Sequence, residues 1–330
     1  MATTSHLSTD NALARLRQSV HAKAGNFYSM YSSVLGGIVT DPALMVLPLD
    51  DHMVHRGHSV FDTATLTHGM LYQLDPHLDR FLRSAELARI SLPFPREGLR
   101  QIILDTAAAS GHLDGSVRYW LSAGPGGYGL GPAECIASSF YVIVFKQEAY
   151  PESYYTEGIK VVTSQVPIKP PLFARIKSTN YLPNVLVVLE AKDRGADNGV
   201  FIDQRGMVAE SSNMNVAFVT TDRVFRHPPF DAILSGITIQ RVLQFAERLV
   251  QQGDLKEIRI ADIPVSEGRQ AAEMMLIGSS IKVAPVTQWD GQPIGDGRPG
   301  PITKQLLEMW NEDTKSAADQ LVAVPYPKGI

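Results

Sequence analysis

Residues 173–186 read FARIKSTNYLPNVL and contain Lys177, a candidate functional residue. Its neighbours are largely uncharged, and Tyr181 is among them. Burial beside apolar and aromatic groups lowers the pKa of an ammonium, which makes the neutral amine available as a nucleophile toward a carbonyl. Pro183 is typical of a first helical turn and predicts a helix that runs to Asp193. The segment therefore predicts a loop that presents Lys177 just before a helix, although an ordinary lysine would give the same local pattern.

Strand and helix patterns continue on the C-terminal side of this segment and also precede it. The strands predicted beyond residue 157 are IKVVTSQ, GVFID, GMVAE, NVAFVT, EMMLIGSS and KVAPVTQW. Two amphipathic helices accompany them: ITIQRVLQFAERLVQQG, which ends at Gly253, and a last helix over residues 301–321. These elements predict a large second domain over residues 158–330.

The first half of the chain has a similar mixture of elements. Its predicted strands are FYSMYSSV, ALMVLPL, SVFDTATL, SVRYWLSA and ASSFYVIVF, and two predicted helices begin near Pro76 and Pro95. This indicates a small α+β domain over residues 25–150 and a polar interdomain linker over residues 151–157. Residues 1–24 are predicted to form an N-terminal helical extension, whose Ser, Thr and basic residues also suit a transit peptide. Neither half alternates strands and helices regularly, so the predicted fold class is α+β rather than a doubly wound sheet.

Composition excludes several classes of protein. Of 330 residues, 44% are hydrophobic and 19% are charged, which is typical of a folded globular chain. The net charge of −4 offers no general attraction to a phosphate backbone, so no nucleic-acid partner is expected. No window reaches the roughly 20 apolar residues that a membrane helix needs. The single Cys135 cannot form an internal disulfide, and a soluble intracellular protein is expected.

Two motifs suggest chemistry that their context argues against. Residues 124–129, GPGGYG, match the dinucleotide pattern GxGxxG, but Pro125 lies in the turn and no βαβ unit surrounds it. A flexible loop able to cover an active site is the preferred interpretation. His52, His55 and His58 form HxxHxxH, but a helix would have to continue through a glycine to align them. Ordinary hydrogen-bonding histidines are predicted, with no metal.

Three further segments are individually weak signals. Glu210 ends a predicted strand just before Ser-Ser-Asn, a position that solvated turn residues often occupy. LSGIT at residues 234–238 and LIGSS at residues 276–280 are turns rich in small and hydroxyl residues. Backbone N–H groups at such turns hold anions, so the two segments together indicate a phosphate group.

Four motifs in order carry a resemblance to a known family: HLDRFLRSA at residues 77–85, KSTNYL at 177–182, E-x-x-x-x-N-V at 210–216, and LSGIT. They resemble the pyridoxal-phosphate aminotransferases of fold type IV. The likeness extends from about Phe27 to Leu307 and is strongest to plant-type D-amino-acid aminotransferases and aminodeoxychorismate lyases. It implies two domains, each a β-sheet or barrel-like sheet with flanking helices. It also implies a homodimer whose substrates are a small amino donor and a 2-oxo acid acceptor.

The resemblance assigns roles to particular residues. Lys177 matches the lysine that forms the Schiff base with pyridoxal 5'-phosphate, and Tyr181 matches a tyrosine near the cofactor's phenolic oxygen. Glu210 matches the acid that faces the pyridine nitrogen, and Arg80 matches the arginine that binds the phosphate. The implied cofactor-binding residues are Arg80, Lys177, Tyr181, Glu210, Ser235, Gly236, Ile237, Thr238, Ser279 and Ser280. The implied substrate-binding residues are Phe61, Arg118, Ser279 and Ser280.

The sequence departs from the family at one position. Bacterial D-amino-acid aminotransferases and lyases have an arginine where this chain has Ala123, so Arg118 on the same predicted strand becomes the candidate for the substrate carboxylate. The implied activity is transamination of D-amino acids of the D-alanine and D-glutamate type. The alternatives are an aminodeoxychorismate lyase that releases pyruvate and 4-aminobenzoate, and an (R)-amine or branched-chain aminotransferase. A cytoplasmic location is expected, or a plastid if an upstream transit peptide is missing.

Overall fold

The computed structural model describes residues 4–20 and 22–327. Its α-helices are α1 Thr9–Gln18, α2 His52–Arg56, α3 Leu74–Leu87, α4 Arg96–Ala109, α5 Ser153–Thr156, α6 Pro171–Ala174, α7 Leu182–Asp193, α8 Ile237–Gln252, α9 Val265–Arg269 and α10 Pro301–Ser316. The strands are β1 Phe27–Ser32, β2 Gly37–Val39, β3 Ser59–Thr67, β4 Met70–Tyr72, β5 Gly115–Ser122, β6 Ser139–Phe145, β7 Ile159–Thr163, β8 Asn198–Ile202, β9 Val208–Ser211, β10 Asn215–Val219, β11 Val224–His227, β12 Glu257–Ile260, β13 Glu273–Gly278, β14 Lys282–Trp289, β15 Gln292–Pro293 and β16 Leu321–Ala323. Short 3-10 turns cover Ala22–Asn26, Pro42–Leu44 and Pro132–Glu134.

The chain divides into two compact units. The first takes its described residues from Met1–Leu71, Ile90–Gln147 and Ala323–Ile330, and the second comprises Tyr72–Arg89 and Glu148–Val322. Both units combine sheets with helices, and the predicted α+β class is confirmed. Of the predicted N-terminal extension, α1 lies among the described residues, whereas residues 1–3 and 21 lie outside them.

The first unit is built on a seven-stranded sheet with the strand order β16-β4-β3-β5-β6-β1-β2. Its central strands are antiparallel, and the register places Phe61 opposite Trp120 and Thr63 opposite Arg118. Alternate residues of β3 are buried, as expected for a strand with one face on a core. Helix α4 packs on this sheet, where Ser29 donates from Oγ to the Thr106 carbonyl at 2.7 Å.

The second unit contains a closed six-stranded barrel. Strands β10, β13, β14, β7, β8 and β9 are paired in that order, and β9 returns to β10 through Glu210 and Asn215. Every one of these strands contributes buried apolar residues, such as Val161 and Leu276, to one cluster that fills the barrel. Helices α8 and α10 cover one outer side in a second cluster, and Val187 of α7 belongs to a third.

The observed units differ from the predicted domains in two places. Residues 72–89, predicted to lie in the first domain, belong to the second unit, because the ring of Tyr72 is buried in the α8 and α10 cluster. Residues 151–157, predicted to be a linker, contain α5, and Tyr155 packs on the barrel cluster and donates to the Ile281 carbonyl at 3.2 Å. Aromatic side chains thus anchor a segment whose other residues are polar.

Most predicted elements occur where the sequence placed them, with three exceptions. The run ALMVLPL was predicted to be a strand, but it holds the 3-10 turn Pro42–Leu44, which begins at a cap by Asp41. The last helix was predicted to reach residue 321 and ends at Ser316. Strands β11 and β12 were among the short strands that were not predicted.

Candidate active site

Lys177 lies in the short segment between α6 and α7 of the second unit. Its backbone N–H donates to Ser84 Oγ of α3 at 3.2 Å, which ties the segment to that helix. Its Nζ donates to the hydroxyl of Tyr181 at 3.1 Å, and Tyr181 is the residue that precedes α7. The predicted loop before a helix is therefore present, and Pro183 occupies the first turn as expected. The side chain is held at a defined position by a neighbour four residues away.

Glu210 lies on β9, at the position where β9 pairs with β10 and closes the barrel. It is 7% exposed, and one carboxylate oxygen accepts a hydrogen bond from the Leu234 N–H at 3.3 Å. Burial raises the pKa of Glu210 to about 7, against the opposing effects of Lys169, the Leu234 N–H and Lys177. The carboxyl group is therefore balanced between its protonated and ionised forms near neutral pH. A cationic group placed against it would shift it to the carboxylate.

Arg80 projects from α3 and is also 7% exposed. Its guanidinium donates to the Ser235 carbonyl at 3.3 Å and lies 3.3 Å from His77 Nδ1. Helix α3 thereby brings a buried cation to the turn that precedes α8. Phosphate oxygens are the partners that a planar guanidinium fork binds best.

The N-terminus of α8 is open for an anion. Gly236 is the cap residue and has no side chain to satisfy the first N–H groups of the helix, which belong to Ile237 and Thr238. Thr238 Oγ1 lies 3.2 Å from Ser279 Oγ, in the turn between β13 and β14. Ser280, the next residue, is exposed in the same turn.

The arrangement fits the phosphate-bearing cofactor that the resemblance implies. Positive charge on Arg80, free helix N–H groups and two hydroxyls converge on the start of α8. A small cavity beside them is lined by Tyr181, Glu210 and Asn184, among others. Asn184 is 5% exposed, and its Oδ1 has no hydrogen-bond partner, so the cavity presents a buried acceptor without a donor. A heteroaromatic ligand that carries N–H and phosphate groups suits this lining.

The two predicted substrate residues of the sheet lie in the first unit. Arg118 on β5 donates from Nε to Thr63 Oγ1 at 2.9 Å. Its guanidinium lies 5.4 Å from the ring centre of Phe61 and 5.6 Å from that of Phe145. The side chain is thus held between two aromatic rings, on the sheet face that Phe61 shares. Ala123, at the position of the family arginine, is buried.

The histidine and glycine motifs lie next to each other in the first unit. Helix α2 ends at Gly57, whose φ is 62°, so His52 and His58 do not share a helical face. The ring centres of His52 and His55 are 5.0 Å apart. Arg56 donates to the Tyr128 carbonyl at 2.6 Å and fastens the Gly-rich loop to this helix.

Sequence reasoning gave no role to several residues of the site. Asn215 donates from Nδ2 to the Leu234 carbonyl at 3.0 Å, and the amide of Asn184 donates to the Ser212 carbonyl. Asn215 was part of the motif E-x-x-x-x-N-V, which was a usable signal. Lys169, to which no role was assigned from the sequence, lines the cavity with Glu210.

Comparison with known proteins identifies the family to which the chain belongs. The family model of amino-transferase class IV matches residues 59–289, and the chain belongs to this family. It is a pyridoxal 5'-phosphate-dependent aminotransferase. Among the described residues, the helices are too short or too polar to cross a membrane.

Individual relatives extend the comparison. The chain is 53% identical over 302 residues to the chloroplastic D-amino-acid transaminase of Arabidopsis thaliana, covering 91% of this chain and 80% of that protein. It is 26% identical over 277 residues to the D-alanine aminotransferase of Bacillus licheniformis, covering 83% and 93% of the two chains. The fold matches the crystal structure of the Escherichia coli branched-chain amino acid aminotransferase at a TM-score of 0.81 and 23% identity, covering 90% and 99%.

Proposed function

We propose that this enzyme transfers the amino group of D-amino acids, of the D-alanine and D-glutamate type, to 2-oxoglutarate or pyruvate. The observation that carries the proposal is the 53% identity, across 91% of the chain, to a relative named as a D-amino-acid transaminase. The similarity to a D-alanine aminotransferase supports it. The substrates are thus an amino donor and a 2-oxo acid, as in every transamination.

The chain's residues have distinct tasks in this reaction. The cofactor, when bound, supplies a conjugated ring that withdraws electrons from the substrate Cα. Lys177 would bind the cofactor and then hold and move a proton at Nζ, where Tyr181 fixes its position. Glu210 would hold a proton on the pyridine nitrogen, since a buried carboxylate next to that atom favours the protonated ring. Arg80, residues 235–238 and Ser279 would bind the phosphate.

The experiment that tests this proposal asks which enantiomer of the amino donor reacts faster. The holoenzyme is mixed with matched D- and L-alanine, D- and L-glutamate and D- and L-valine, and the loss of the cofactor's visible absorbance is followed in single turnovers. Faster reaction with the D-enantiomers is expected. The Lys177→Ala variant is the control, and it should show neither the visible band of the lysine-bound cofactor nor turnover.

Other outcomes of this panel would replace the proposal. Faster reaction with L-valine than with D-alanine would indicate a branched-chain aminotransferase, and preference for (R)-1-phenylethylamine would indicate an amine transaminase. Release of pyruvate from 4-amino-4-deoxychorismate at a higher rate than transamination would indicate a lyase.

Substrate carboxylate binding by Arg118 is part of the proposal. Support comes from its fixed position between Phe61 and Phe145 and from the absence of an arginine side chain at Ala123. Phe61 would pack on the apolar part of the donor. Arg118→Gln is expected to raise KM for D-alanine and leave that for (R)-1-phenylethylamine, which has no carboxylate, unchanged.

We further propose that the enzyme is a homodimer. The solvent side of α7 is apolar, which is unusual for a helix exposed in a monomer. Its exposed residues are Leu182, Val185, Leu186, Val188 and Leu189. A second copy of the chain would cover this surface.

We propose a plastid location by analogy with the Arabidopsis relative, which is named as chloroplastic. A fusion of the full-length protein to a fluorescent reporter in plant cells tests it, and a diffuse cytoplasmic signal would count against it.

A further inference from the structure

A second lysine, Lys169, lines the small cavity beside Glu210. Lys169 precedes α6, in the segment in which Pro170 and Pro171 limit the backbone. It lines the cavity that Tyr181 and Glu210 also line. Its Nζ lies 5.0 Å from the centre of the Tyr181 ring, within the range of a cation–π contact. The ammonium is therefore held at the cavity by a rigid segment and an aromatic face.

Two lysines thus face Tyr181, and they lie at opposite ends of α6. The Nζ of Lys177 is 5.7 Å from the same ring centre and also donates to the hydroxyl. Lys177 is the residue that binds the cofactor and exchanges protons during turnover, so its charge changes within each cycle. Lys169 has no such duty, and it lines the same cavity as the Glu210 carboxyl group.

The charged and titratable groups that lie around Glu210 include Lys169, Lys177 and Tyr181. Of the influences that lower the pKa of Glu210 against its burial, the charge of Lys169 has the largest effect, ahead of the Leu234 N–H and Lys177. An ionised carboxylate in a buried site needs such compensation.

We propose that Lys169 is a positioning residue that favours the ionised form of Glu210, so that Glu210 can keep the pyridine nitrogen protonated. The consequence for catalysis rests on the proposed transaminase function. The electrostatic effect itself is a property of the cofactor-free protein and is independent of the donor's handedness.

The decisive measurement is the free energy of unfolding of the cofactor-free protein between pH 5 and 9. Because the folded pKa of Glu210 exceeds that of an unfolded glutamate, the protein loses stability as pH rises toward the folded pKa. Lys169→Met should move the upper end of this decline upward by about one pH unit, since an opposite charge lowers an acid's pKa by about that amount. Lys169→Arg should leave the pH at which the decline ends near the wild-type value.

Two controls separate this effect from a general loss of charge. Lys192 is exposed in the last turn of α7, and Lys192→Met should not move the profile. In a Glu210→Gln background, Lys169→Met should no longer change the pH dependence of the unfolding free energy. A double-mutant cycle requires this result if the two residues are directly coupled. Lys169→Gln is the second neutral variant if the methionine variant folds poorly.

A cofactor-binding readout completes the test. At pH 7, Lys169→Met should retain pyridoxal 5'-phosphate about tenfold less tightly in equilibrium dialysis, and the deficit should shrink at pH 9, where Glu210 ionises without help. An unchanged stability profile in Lys169→Met, or a change that persists in the Glu210→Gln background, would overturn the inference. If the enzyme did not prefer D-amino acids in the panel described above, only the proposed amino donor would be contradicted, and the inference about Lys169 would stand.

Discussion

Burial of the Glu210 carboxyl group destabilises the folded protein when the group is ionised, and the effect can be measured as a change in the free energy of unfolding with pH. With its pKa raised from 4.5 to about 7 by burial, the cofactor-free protein should lose about 3 kcal/mol of stability as pH rises across that interval. Glu210→Gln removes the titration. We expect the cofactor-free variant to be more stable than wild type at pH 8 and similar at pH 5, in urea unfolding at both values.

The same variant should be a poor enzyme. A neutral amide cannot keep the pyridine nitrogen protonated, so single-turnover reaction with D-alanine should slow by at least about a hundredfold. Equal pH dependence of stability in the variant and wild type, or near-normal turnover, would show that Glu210 does not have this role.

Arg80 is a second residue whose contribution can be isolated. Charge-assisted hydrogen bonds to phosphate contribute about 1.5–3 kcal/mol each, so Arg80→Ala should weaken cofactor binding about ten- to a hundredfold. Arg80→Lys keeps the charge but loses the fork and should be intermediate. Equilibrium dialysis gives the affinity, and turnover at saturating cofactor should change much less. Unaltered affinity in the alanine variant would exclude Arg80 from the phosphate site.

Helix α8 depends on a glycine at its N-terminal cap. A Cβ added to Gly236 would overlap Asn215 Oδ1, which must then move together with the hydrogen bond from Asn215 to the Leu234 carbonyl. Gly236→Ala should therefore distort the first turn of α8, reduce stability by about 1–3 kcal/mol and weaken cofactor binding. Thermal unfolding and dialysis measure the two effects.

The matched control for this element is Gly37→Ala in β2. A Cβ at Gly37 meets no atom within 4 Å, so stability should change by about 0.5 kcal/mol at most. If Gly236→Ala behaved like Gly37→Ala, the close approach at the helix cap would have no functional importance.

The exposed apolar surface of α7 predicts self-association of the protein. Val185 and Leu189, which are half exposed and one helical turn apart, can both be replaced by lysine. The double variant should run as a monomer in size-exclusion chromatography with light scattering, where the wild type runs as a dimer. Lys192→Arg, at an exposed position of the same helix, serves as the neutral control. A wild-type monomer at micromolar concentration would contradict the proposal.

Local patterns in the sequence were enough to predict many elements and the main site motifs. Pro183 at the start of α7 and Gly253 at the end of α8 are chemical signals that act within a turn of the helix, so they can be recognised without the fold. The roles of Lys177, Glu210 and Arg80 were predicted from the family resemblance and stay predictions, while the structure brings Arg80 to Ser235 and joins Thr238 to Ser279.

Only the tertiary structure decided which parts of the chain come together. Residues 72–89 pack with the second unit because Tyr72 is buried in the α8 and α10 cluster and α3 is tied to Ser235 and Lys177 by hydrogen bonds, and no local pattern contains that choice. The raised pKa of Glu210 and the approach of Lys169 to the same cavity likewise depend on burial by distant segments. Turns and helix caps depend on neighbours along the chain, whereas burial and charge coupling depend on neighbours in space, which local sequence does not specify.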